Sequence, residues 1–248
     1  MTIYLIAALV TLAFTIVLTV AGLGAAFILV PVYLALGVEM HSAQATALLL
    51  NAIAMAFACA RYIPAKLVDF RIAVPIVIVA TILSPLGAYT SSFVPVATLK
   101  WMFIGFLVFA GAMMLFYKPK PHEVAGRGEI VGVGMGVGGA AGFLGGMLGV
   151  GGGNFVVPAL VWLGLDAKRA AGTTAFVVVF ASFTGFLGQA SVANPDRQLL
   201  AWTAAASIIG ALIGSWLMHR KLQAAQVKTS IGVLLFFIAA TMAHKLIA

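Results

Sequence analysis

Long apolar stretches alternate with short polar breaks along the whole chain. Apolar runs occupy residues 3–20, 25–36, 42–60, 72–92, 98–117, 130–147, 154–165, 170–192, 198–218 and 229–243. A helix needs about 20 apolar residues to cross a bilayer, so most of these runs predict membrane-spanning helices. Runs 25–36 and 154–165 are too short; each predicts a half-depth helix rising only about 18 Å. Both short runs follow a glycine-rich break, which predicts a sharp turn out of the preceding helix.

The two breaks are copies of one another. Gly22-Leu23-Gly24-Ala25-Ala26, with Pro31 and Gly37, recurs 127 residues later as Gly149-Val150-Gly151-Gly152-Gly153, with Pro158 and Gly164. The same offset joins Ala43 to Ala170, Thr46 to Thr173, Asp69 to Asp196, Gly87 to Gly214, Gly105 to Gly232 and Phe109 to Phe236. A fixed long period marks a duplicated architecture. The expected organisation is two transmembrane repeats, 1–117 and 130–248, joined by a basic linker over 118–129.

Composition decides the class. The chain is 63% hydrophobic and 8% charged, against about a quarter charged in soluble domains, so an all-α polytopic membrane protein is expected. The net charge of +8 lies between the apolar runs rather than on one folded face, which reads as membrane orientation and not as nucleic-acid binding. Arg61 is the first basic residue, so the opening segment is expected to be retained rather than cleaved as a signal peptide. Cys59 is the single cysteine and allows no internal disulfide.

Loop charge predicts opposite orientations for the two halves. Arg61, Lys66 and Arg71, then Lys118, Lys120 and Arg127, flank the first-half helices, while the loop around His41 carries no Lys or Arg. In the second half, Lys168 and Arg169, then Arg220, Lys221 and Lys228, occupy the non-equivalent loops. With basic loops cytoplasmic, equivalent helices cross in opposite directions. Each inverted-topology repeat is then a glycine-broken helical hairpin followed by three transmembrane helices.

The glycine breaks are the candidate chemistry. Peptide N–H groups at a helix N-terminus, with the positive end of its dipole, bind an anion without any buried basic side chain. The helices beginning near Ala25 and Asn154 are expected to aim such N-termini at one region near the midplane. Candidate substrate-binding residues are therefore Gly22, Gly24, Ala25 and Ala26 in the first copy, and Gly149, Gly151, Gly152, Gly153 and Asn154 in the second. The alternative reading of the breaks is a pair of hinges for tight helix packing.

Thr46, Thr173 and Thr174 are placed in the first turn of the helix after each hairpin, with Gln44 nearby; their hydroxyls either complete an anion's shell or bond back to their own helix. Asn51 has Val178 as its counterpart in the other copy, so it is either an asymmetric substrate contact or interhelical glue. Ser182, Thr184 and Gln189 carry the same two readings. Gly138, Gly142 and Gly146 have the spacing of close helix packing. Asp69, Asp166 and Asp196 precede helices and read as N-caps. No acid, base or histidine is expected at the midplane, which argues against a membrane-embedded enzyme and leaves any coupling ion undetermined.

On the stretch Gly149-Val150-Gly151-Gly152-Gly153-Asn154-Phe155-Val156-Val157-Pro158, the later Gly164, and Ala171-Gly172-Thr173-Thr174, the chain resembles the TauE/SafE family of sulfite and organosulfonate exporters. The first copy departs from it, with Ala25 and Ala26 in place of glycines. The resemblance implies a multi-pass inner-membrane carrier of small sulfur-containing anions, needing no cofactor or metal. Its partners are a small anionic substrate and the lipid bilayer, and the chain is a candidate for homo-oligomerisation. An anion channel of the same architecture is the competing reading.

Overall fold

The computed structural model of the chain describes residues 2–20, 22–116, 127–163, 165–220 and 224–247. Most of the expected linker over 118–129, and Gly164 of the repeat, lie outside the described residues. Apart from one short 3-10 turn, every regular element among them is an α-helix: α1 (Thr2–Val20), α2 (Ala26–Ala35), α3 (Met40–Tyr62), α4 (Phe70–Thr90), α5 (Val96–Phe116), α6 (Arg127–Leu148), α7 (Gly153–Trp162), α8 (Ala167–Ala190), α9 (Arg197–Arg220) and α10 (Ala224–Ile247). Each apolar run became one helix. Seven of them are long and apolar enough to cross a membrane: α1, α3, α4, α5, α6, α8 and α9.

The two short helices are short as expected. At 10 residues each, α2 and α7 rise about 15 Å, half of the hydrocarbon core. α2 folds back along α1, where Thr11 Oγ1 and Tyr33 Oη are 2.8 Å apart. Phe27, Ile28, Leu29 and Val30 on four successive positions of α2 are all fully buried. A helix apolar on every side must be enclosed by others, and α3, α5 and α10 supply part of that enclosure.

Small residues set the helix spacing. A Cβ added at Gly138 would lie 2.8 Å from the Ile76 carbonyl, and one at Gly142 would lie 2.6 Å from that of Ala80, so α6 runs parallel to α4 at backbone contact. Gly210 and Gly214 of α9 approach Leu12 and Ile16 of α1 in the same way, so α1 and α9 are also parallel. Outward, Val74, Ile78, Ile82 and Leu86 form an exposed apolar stripe along α4, as a lipid-facing surface requires.

All three predicted N-caps are present. Asp69 Oδ1 accepts from Arg71 N–H at 3.1 Å, Asp166 Oδ1 from Lys168 and Arg169 N–H at 3.0 and 3.1 Å, and Asp196 Oδ1 from Gln198 N–H at 2.8 Å. Two of the three also tie distant elements together. Arg169 reaches Asp69 across α8 and α4, and Tyr4 Oη donates to Asp196 Oδ2 at 2.9 Å across α1 and α9.

Candidate functional site

The glycine breaks meet halfway along α3. Gly24 (φ 74°) packs so closely on Asn51 that a Cβ there would run into its amide, and Gly151 (φ 73°) packs on both Asn51 and Ser182. Only glycine accepts that backbone conformation with so little room. Asn51 is the twelfth of the 23 residues of α3, which places the junction at mid-depth. The two hairpin tips also touch directly: a Cβ on Gly153 would lie 2.5 Å from the Leu23 carbonyl oxygen.

At this junction Asn51 Nδ2 donates to Ser182 Oγ at 3.0 Å, joining α3 to α8. Asn51 is 1% exposed, yet its Oδ1 has no partner. Asn154 Oδ1, at the start of α7, is buried without a partner as well, whereas the unpartnered Thr46 Oγ1 and Thr174 Oγ1 lie away from this junction, toward the starts of α3 and α8. Neither short helix has a side-chain cap; the positions before them are Ala25 and Gly152. Uncapped helix starts and unpaired side-chain oxygens at mid-depth are costly in an apolar medium. They form a polar junction able to bind a small solute that brings its own hydrogen-bonding groups.

The other expected site residues divide into two sets. Gly22 lies against the Ala171 backbone of α8, and Gly149 against Gln44 of α3. Gly152 faces the Ala141 carbonyl of its own hairpin, where the lack of a Cβ lets α6 and α7 approach. Ala25 and Ala26 are buried at the start of α2. Because α3 and α8 begin at Met40 and Ala167, earlier than the apolar runs suggest, Thr46 and the pair Thr173 and Thr174 sit in the second turn and not the first. Thr173 Oγ1 is engaged, accepting from Asp69 N–H at 2.9 Å, whereas Thr46 and Thr174 are not.

Three buried residues emerge from the fold alone. Tyr62 Oη donates to the Thr19 carbonyl at 2.9 Å, closing the end of α1. Ser84 Oγ donates to the Ala181 carbonyl at 2.6 Å. Ser91 Oγ accepts from Gln189 Nε2 at 3.0 Å. Ser84 and Ser91 fall within the apolar run 72–92 and Tyr62 just beyond run 42–60, and the partner of each lies 43 to 98 positions away. The sequence signal is the polar residue; the partner is not encoded locally.

An all-helical, multi-pass membrane protein with two half-depth helices converging on a buried polar junction belongs to the class of membrane transporters. The chain belongs to the TauE/SafE sulfite exporter family, whose model matches residues 6–242. It is 27% identical over 206 residues, 74% of each chain, to the probable membrane transporter protein YunE of Bacillus subtilis (strain 168). No solved structure matches it.

Proposed function

We propose that the chain carries small sulfur-containing anions, such as sulfite or organosulfonates, across the inner membrane by alternating access around the Asn51 junction. The observation that carries this reading is the meeting of both glycine breaks at one buried side chain, beside unpaired polar atoms and two uncapped helix starts. Uncapped N-termini supply N–H donors and positive potential without a fixed cation, so an anion is held but not trapped.

An inverted pair of halves underlies the mechanism. Contacts that exchange partners at the 127-residue offset support it. Gly22 on Ala171 mirrors Gly149 on Gln44, and Gly87 on Phe143 mirrors Gly214 on Ile16. Tyr62 on the Thr19 carbonyl mirrors Gln189 on the Gly146 carbonyl. Two equivalent halves in opposite orientation give two states of equal architecture, one open to each side.

Proteoliposome flux tests the proposal. Saturable sulfite or sulfonate movement with counterflow supports a carrier. Ohmic, non-saturating current identifies a channel instead, and the lack of any anion-dependent flux overturns both.

A further inference from the structure

Away from the Asn51 junction, a groove runs between the C-terminal ends of α3 and α9. The two helices are tied at mid-length, where Ser207 Oγ donates to the Leu50 carbonyl at 3.0 Å. Further along, a space of about 460 Å³ is lined by Ala60, Arg61, Pro64, Leu67, Ser215 and Trp216. Phe57, one turn before Arg61 on α3, and Ile209 and Ile213, on the Trp216 face of α9, are exposed and extend its apolar walls toward mid-depth. Lys66 sits in the turn that closes the groove, in a left-handed conformation (φ 56°). Among the described residues neither Arg61 nor Lys66 makes an ion pair. Asp69, the acid nearest to them in sequence, is taken by Arg169 and by the Arg71 N–H.

We propose that this groove is a binding site for an anionic phospholipid such as phosphatidylglycerol, with its phosphate on Arg61 and one acyl chain along Phe57 and Ile213. A guanidinium matches phosphate oxygens through two parallel N–H bonds. Trp216, 45% exposed, supplies the amphipathic ring that marks the headgroup boundary. A cation without a partner, set above an apolar channel, is complementary to a molecule that joins a negative head to an apolar tail. A zwitterionic lipid offers the same tail with no net charge to meet the cation. With basic loops cytoplasmic, the groove opens in the leaflet whose surface is negative.

The duplicated framework supplies a comparison at the opposite end of the bundle. At the 127-residue offset, Gly188 stands for Arg61, Ala193 for Lys66, Ala88 for Ser215 and Tyr89 for Trp216. There the helices close up: a Cβ on Gly188 would lie 2.8 Å from both Ala88 Cβ and the Pro85 carbonyl oxygen, so α8 meets α4 at backbone contact. Both ends keep the aromatic residue, and one alone carries the cations. One lipid per chain, at the α3 and α9 ends, is therefore expected. Tyr62, beside Arg61, donates to the Thr19 carbonyl at the end of α1. A lipid in the groove thus braces the place where the first hairpin is held.

The test uses the full chain, delipidated in a neutral detergent, with phosphatidylglycerol, phosphatidylcholine or glycerol 1-phosphate added. Phosphatidylglycerol should raise the unfolding temperature saturably, and native mass spectrometry should retain one such lipid per chain; the other two should do neither. Arg61→Gln should weaken phosphatidylglycerol binding roughly tenfold, the scale of one lost charge-assisted pair. Arg61→Lys should weaken it less, and Lys100→Gln, at the start of α5, should leave it unchanged. Equal gains from phosphatidylcholine would mean that the groove takes chains without reading charge, and would overturn the site. A response to glycerol 1-phosphate alone that vanishes in Arg61→Gln would assign the groove to a free anion instead. Full phosphatidylglycerol binding in the Arg61→Gln, Lys66→Gln double variant, or no lipid response in the parent chain, also overturns it. None of these measurements reads anion flux, so the lipid site and the transport reading stand or fall separately.

Discussion

Arg169 Nη2 lies 2.8 Å from Asp69 Oδ2, pairing the first turn of α8 with the N-cap of α4. The pair closes one end of the bundle, and the Tyr4 to Asp196 bond closes the other. Asp69 and Asp196 are repeat equivalents, so the two closures occupy matched positions.

Removing the ion pair alone should cost little. The Arg169 side chain is 47% exposed, and surface pairs contribute about 0–1 kcal/mol. Arg169→Ala should shift the unfolding temperature only slightly. Asp69→Ala also deletes the cap of α4 and should cost about 1 kcal/mol more. Thermal unfolding in one detergent ranks the two, and equal shifts would show that the cap contributes nothing.

Asn51→Leu should reduce anion flux strongly while leaving the protein inserted, because it removes the amide between both glycine turns. Ser182→Ala keeps that amide. A double-mutant cycle on the two in unfolding experiments should give a coupling of about 0.6–2 kcal/mol, the range for interhelical hydrogen bonds in membranes. Zero coupling would mean the bond is not made in the lipid-embedded protein.

Tyr62→Phe should destabilise the chain by about 0.5–1.5 kcal/mol, since it removes one of the two hydrogen bonds that the Thr19 carbonyl accepts, the other coming from Gly22 N–H at 3.0 Å. Tyr62 is buried at the end of α3, so the loss comes from that carbonyl and not from surface charge. An unchanged unfolding temperature would show that the Gly22 N–H alone satisfies Thr19.

The hydrogen bond from Tyr4 holds the Asp196 carboxyl below its ordinary value, helped by the Gln198 and Leu199 N–H groups. With the folded value depressed, this stabilisation is present above the unfolded value, about 3.9, and fades as pH falls through the lower folded value. Asp196→Ala should therefore lower the unfolding temperature at neutral pH, with the gap from the parent closing in strong acid. A gap independent of pH would remove the carboxylate as its cause.

Orientation is open to direct test in a Cys59→Ala background. With basic loops cytoplasmic, as the charge of Arg61, Lys66, Lys168 and Arg169 predicts, Ser191→Cys should react with an impermeant maleimide in intact cells, and Lys168→Cys only after permeabilisation. The reverse pattern would invert the whole assignment.

Much of the architecture was legible in hydropathy and spacing. Run 25–36 became Ala26–Ala35, and the glycine breaks became the turns. The three aspartates were legible as caps because a cap is a local interaction. What spacing could not show was direction across the bundle. Gly152 reads like Gly151, yet one faces Ala141 in its own hairpin and the other faces Asn51 and Ser182. Gln44 and Gln189 read as isolated polar residues, and only packing across 145 positions turns them into one cluster. Helix starts were placed late at α3 and α8 because polar first-turn residues such as His41 and Lys168 interrupt the apolar signal.

The parallel contact of α1 with α9 has a consequence for how the protein is made. α1 ends at Val20 and α9 begins at Arg197, so the first hairpin leaves the ribosome long before the helix it packs on. At about 5–20 residues per second, its wait is on the order of ten seconds or more. Its counterpart α6 finds α4 already synthesised. The hairpin of α1 and α2 thus gains its α9 contact only once the second half emerges, and α10, which packs on α5, follows later still.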